Sequence, residues 1–143
     1  MPTAPSQHVF AATIQKSEEW IAELMRDLEW DDSRQAYAAL RATLHALRDR
    51  LTLEESAQLA AQLPMLIRGV YFEGWKPQDR PRRLRSVDEF EAQVHQESRR
   101  PYDAPLDRVV RAVFALLARH VSAGEITDVI RILPLELKQL WPA

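Results

Sequence analysis

The sequence predicts an all-α protein, and three observations carry that prediction. Glycine occurs only three times in 143 residues (Gly69, Gly74, Gly124), and asparagine does not occur at all. Hairpin turns draw on Gly, Asn and Asp-Gly, so a sheet protein would lack its connections. The dominant residues are Ala, Leu, Arg, Glu and Gln, all good helix formers. Apolar residues then recur at helical spacing between recognisable start and stop signals.

The first helix is expected from about Ser6 to Leu28. Phe10, Ile14, Ser17, Ile21, Leu24 and Leu28 form one stripe, with Met25 beside it. Asp31, Asp32 and Ser33 mark an exit and a new N-cap. The second helix reads to about Arg50, with Tyr37, Leu40, Leu44, Leu47 and Leu51 as its packing seam. Thr52 and Glu55 make a capping box, in which the hydroxyl takes a free amide and the carboxylate reaches back. That third helix ends near Leu63. Pro64 lacks an N–H and suits the first residue of a short fourth helix, in which Gly69 is a weak point.

Residues 73–85 (EGWKPQDRPRRLR) hold Gly74, Pro77 and Pro81 and read as a linker. Ser86 and Glu89 are a second capping box, opening a helix that carries Phe90 and Val94 and ends near Glu97. A loop follows from Arg99 to Pro105. Asp103 is the expected N-cap of the next helix, with Pro105 in its first turn.

Shifting the chain by 70 aligns residues 40–71 with 110–141 without a gap. The seam Leu40, Leu44, Leu47, Leu51 falls on Val110, Phe114, Leu117, Val121. Thr52 and Glu55 fall on Ser122 and Glu125, Leu63 and Pro64 on Leu133 and Pro134, and Tyr71 on Trp141. The expectation is one compact helical bundle over residues 1–143, made of two similar multi-helix units with approximate two-fold symmetry. Repeat 1 spans about 6–72, the linker 73–85, and repeat 2 about 86–143. A unit with one apolar face must cover it, and its twin is the natural partner.

Composition excludes several function classes. There is no cysteine, hence no disulfide, thiolate nucleophile or cysteine zinc site; this fits a cytoplasmic protein. The first ten residues show no cationic stretch followed by an apolar run, so no secretory signal is expected. No apolar run approaches the ~20 residues needed to cross a bilayer. The net charge of −2 makes nucleic acid an unfavoured partner. Basic residues concentrate at Lys76, Arg80, Arg82, Arg83 and Arg85, which reads as a solvated linker.

No catalytic motif emerges. Glycine-rich phosphate loops and Gly-x-Ser-x-Gly are absent. The histidines His8, His45, His95 and His120 lack the i, i+3 or i, i+4 spacing of a helical metal site, and His45 could instead pair with Asp49 one turn on. Glu54 with Glu55 and Asp31 with Asp32 sit at helix starts, where negative charge complements the dipole. Catalytic, metal and cofactor residues are therefore assigned to none. The distinctive local feature is the aromatic segment 71–77 (YFEGWKP). It reads as a staple holding the linker to the core, or as an anchor for a partner.

Residues 63–77 (LPMLIRGVYFEGWKP) resemble the family known as domain of unknown function 2267 (DUF2267). So do Phe10, Ile14, Gln15 and Lys16, the run from Arg34 through Tyr37, Leu40, Arg41, Leu44 and Arg48, and the ending Val113, Phe114, Leu117, Ile132, Leu133, Pro134 and Trp141. The resemblance covers nearly the whole chain. It implies a small helical bacterial or archaeal protein, and it transfers no catalytic residues because the family has none assigned.

The function expected from these observations is a non-enzymatic cytoplasmic interaction or regulatory module, with Tyr71, Trp75, Arg68 and Glu73 as candidate contact residues. An unidentified protein partner and self-association are both open. The alternative is a small-ligand-binding or cofactor-free enzyme-like domain using the cleft between repeats, with Arg68, Glu73 and His45 as its polar residues.

Overall fold

The computed structural model describes residues 8–77, 86–98 and 101–143. Within them the chain forms eight α-helices and no strands: α1 (Ala11–Leu28), α2 (Ser33–Arg48), α3 (Leu53–Ala61), α4 (Met65–Phe72), α5 (Val87–Glu97), α6 (Leu106–His120), α7 (Ala123–Ile132) and α8 (Leu135–Lys138). The residues Arg80, Arg82, Arg83 and Arg85, and the expected start of the first helix at Ser6, lie outside the described residues.

Caps explain most of the boundaries. Asp32 accepts from the Arg34 amide, Thr52 from Glu55, Ser86 from Glu89 and Ser122 from Glu125. Pro64 and Pro134 stand at N-cap positions, so α4 begins at Met65, one residue later than expected. α1 ends in a Schellman turn: Trp30 N–H donates to the Met25 carbonyl (2.8 Å) and Glu29 N–H to Arg26 (3.2 Å). This turn forces Glu29 to φ 58°, a left-handed conformation that a Cβ disfavours.

One expected cap is not used. Asp103 does not start α6; Pro105 occupies the N-cap without a side-chain bond. Asp103 is engaged by Gln35 of α2 instead. Its amide donates to Gln35 Oε1 (3.0 Å), and its carboxylate accepts from Gln35 Nε2 (3.2 Å).

α2 is the hub, in contact with α1, α4, α5 and α6, while α3 lies on α7. The two leucine-rich seams meet in the core: Leu44, Leu47, Leu51, Phe114, Leu117 and Val121 are all buried. Phe114 stacks on Trp141 at 4.2 Å and meets Phe90 edge-on at 5.9 Å.

The first stripe departs from expectation. Ser17, Leu24 and Leu28 are buried, but Phe10 and Ile14 are 62% and 44% exposed, and Trp20 enters the core instead. α1 starts at Ala11, with residues 8–10 in a turn, so the early stripe residues precede or open the helix and have no layer above them. Tyr37 is likewise 43% exposed, because the buried face of α2 begins at Ala36, Ala39 and Leu40.

Candidate functional site

The aromatic segment sits at the end of α4, where it covers a polar network joining α2, α4 and α5. Tyr71 is fully buried, and its burial pushes the phenol well above its ordinary range. Phe72 and Trp75 are half-buried and touch each other, with ring centroids 5.2 Å apart. The Trp75 amide donates to the Phe72 carbonyl (3.0 Å), closing a turn that places Gly74 at φ 68°. Arg48, buried on α2, ties this turn down: its Nη1 donates to the carbonyls of Tyr71 and Glu73, each at 2.8 Å.

Next to it, Arg41 bridges two acids. Its Nε lies 2.6 Å from Glu73 and its Nη1 3.3 Å from Glu97. Arg41 holds the Glu73 carboxyl below the ordinary carboxylate range. His45 is buried one turn on. Its Nδ1 lies 2.9 Å from both Glu97 oxygens and its Nε2 2.7 Å from the Val70 carbonyl. The pairing of His45 with Asp49 therefore does not form, because Glu97 from α5 occupies the histidine. Asp49 takes Arg48 Nε (3.1 Å) and Gln93 Nε2 (2.8 Å) instead.

The four candidate contact residues thus have different positions. Glu73 is exposed but paired, Trp75 is half-open, and Tyr71 is enclosed. Arg68 faces the other way. Its guanidinium donates to the carbonyls of Ala60, Ala61 and Leu63, serving the C-terminal end of α3.

A second feature also involves α4. A cleft of about 190 Å³ opens between α1, α2 and α4, lined by Ile14, Ile21, Tyr37, Leu40, Leu66 and Val70. Buried Ser17 also lines it, and its hydroxyl makes no hydrogen bond. A depression of about 450 Å³ adjoins it between α1 and α2, past Met25 and Arg34. Phe10, Met65 and Leu66 add exposed apolar surface to these elements. The sequence pattern does not reveal this groove, since it sets Phe10 and Ile14 in one apolar stripe and Tyr37 in a packing seam. Their pattern was visible, but not which end of the stripe would lack cover.

A third feature joins residues far apart in sequence. Glu55 on α3, Glu125 on α7 and Asp128 each offer an oxygen within 4.8 Å of the others. Burial and the neighbouring Glu55 carboxylate push Glu125 up to about 8. Glu125 does not complete its capping box. The Ser122 amide donates to Gln62 Oε1 (2.8 Å), which leaves the Glu125 carboxyl turned towards α3.

An all-α bundle with an apolar cleft between α1, α2 and α4 and a polar network joining α2, α4 and α5 defines a helical protein. The chain belongs to the family described as an uncharacterized conserved protein, DUF2267, whose model matches residues 17–140. No curated protein matches it. Among the described residues no helix is long and apolar enough to cross a membrane.

Proposed function

We propose that the chain is a non-enzymatic cytoplasmic interaction module whose groove between α1, α2 and α4 receives an amphipathic helix of a partner protein. The supporting observation is that exposed Ile14, Tyr37 and Leu66 line an apolar cleft, with exposed Phe10 and Met65 close to them in the chain. Helix-in-groove recognition uses this kind of surface, with anchors at i, i+3/i+4 and i+7 on the incoming helix. Trp75 and Glu73 do not line this cleft and form a secondary contact in this reading. In this reading the chain arose by duplication. Support comes from the gapless shift of 70 and from helix starts at Leu53 and Ala123, and at Met65 and Leu135. A crystal structure in which 40–71 fails to superpose on 110–141 in helix order and start points overturns the duplication.

The test compares the wild-type chain with Leu66→Glu, which charges the groove, and Lys76→Glu, which alters the surface outside it. A protein bound by the wild type and by Lys76→Glu, but lost with Leu66→Glu, supports the reading. Equal retention by all three overturns the groove. A thermal shift of several degrees with one metabolite, and no protein partner, favours the ligand-binding alternative.

A further inference from the structure

We propose that Glu55, Glu125 and Asp128 form a binding site for one hard divalent cation at the contact between α3 and α7. The three carboxylates supply oxygen donors only, the set preferred by calcium, magnesium and manganese over softer metals. Their ligand atoms lie within 4.8 Å of one another, a span that oxygens on opposite sides of a calcium ion cover at 2.3–2.6 Å bonds.

Proximity of acids would not suffice. The second observation is the state of Glu125. Its residue is only 7% exposed, and its Oε1 has no N–H or hydroxyl donor; the side chain that it meets is the Glu55 carboxyl of the same cluster. Oε1 of half-buried Glu55 likewise has no donor. A buried carboxylate oxygen is normally satisfied by an N–H or a basic side chain. Among the described residues no Lys, Arg or His forms an ion pair with Glu55 or Glu125, and only Asp128 has a cationic neighbour, Arg131 at 3.8 Å. Glu55 and Asp128 are half-buried, so the site has an open side for water ligands and for entry.

The local design keeps the carboxylates available. Gln62 satisfies the amide that Glu125 would otherwise cap, and Thr52 and Ser122 use their hydroxyls on the Glu55 and Glu125 amides. Glu55 and Glu125 are also equivalent under the shift of 70, so a duplicated unit would bring the same residue to the site from each side.

The chain, freed of metal with a chelator, is titrated calorimetrically with CaCl₂, MnCl₂ and MgCl₂, and its Tm is followed. The expected result is saturable binding of one ion per chain for at least one salt, with a rise in Tm. Glu125→Gln should abolish binding, and Asp128→Asn should weaken it at least tenfold, with helical circular dichroism preserved in both. No saturable heat with any salt, or an isotherm unchanged in Glu125→Gln, overturns the site. Should Glu125→Gln not fold, undiminished binding in both Asp128→Asn and Glu55→Gln overturns it equally.

Discussion

The Glu97 carboxylate holds the buried His45 ring with both of its oxygens at 2.9 Å, fastening α5 to α2 across 52 residues. The opposite ring nitrogen faces the Val70 carbonyl of α4, so one imidazole connects three helices. Glu97 also accepts from Arg41. Glu97→Gln should therefore cost about 1–3 kcal/mol, the range for leaving buried polar groups short of a partner. Urea denaturation checks this. A cycle pairing Glu97→Gln with His45→Gln should show coupling above about 0.5 kcal/mol.

The meeting of the two seams predicts large cavity effects. Leu47 and Leu117 are fully buried. Leu47→Ala and Leu117→Ala should each cost about 2–5 kcal/mol, because the cavity adds to the lost transfer energy. Losses under about 1 kcal/mol for both would mean that the seams are not the core.

Trp75 lies between a sealed staple and an open anchor. Its ring is half-buried against Phe72. Trp75→Ala should lower stability by about 1 kcal/mol, with an unchanged denaturant slope. An unchanged midpoint would remove its part in holding the segment that follows α4.

Backbone conformation gives three signed predictions. Glu29→Gly should stabilise by about 1 kcal/mol, since φ is 58° there. Gly74→Ala should destabilise by about 1–2 kcal/mol at φ 68°, although no atom lies within 4 Å of the added Cβ. Gly69→Ala, inside α4 with the same open space, should stabilise by about 0.5–1 kcal/mol. Thermal unfolding of the three variants resolves the signs.

Acid should weaken the junction of α1 and α6. Glu23 accepts from Arg119 at 3.1 Å and lies 2.6 Å from His120 Nε2. Burial pushes its pKa up, but the contacts with His120 and Arg119 together hold it below 4.5. The native state then binds fewer protons than the unfolded chain around and below that value. The stabilisation is full above the ordinary carboxylate range and is lost as pH falls through the lowered native pKa. The stability gap between wild type and Glu23→Gln should narrow as pH drops from about 6 to about 3.

Local chemistry was readable in the sequence, and long-range chemistry was not. The hydroxyl caps at Thr52, Ser86 and Ser122 rest on side chains within three residues, so the helix starts that depend on them follow the pattern. Asp103 has the right residue type for a cap, yet Gln35, 68 residues away, takes it. Periodicity identifies an apolar face but not how far a neighbouring helix extends over it. Hence Leu24 is covered and Ile14 is not. The Glu55–Glu125 contact has no local signal, because each glutamate alone reads as a helix-start residue. Only the shift of 70 relates them, and it does so without saying that they meet.

The bond between Gln62 and Ser122 couples the end of α3 to the start of α7. The Gln62 amide group uses both of its ends on one serine: Nε2 donates to the hydroxyl at 3.1 Å and Oε1 accepts from the amide at 2.8 Å. The first turn of α7 is thereby completed by a side chain 60 residues upstream. A fragment comprising only the second half would keep the cap that the Ser122 hydroxyl gives to the Glu125 amide, but would leave the Ser122 amide to water. The start of α7 is thus capped locally and clamped from a distance, and a single glutamine joins the end of one half to a helix start in the other.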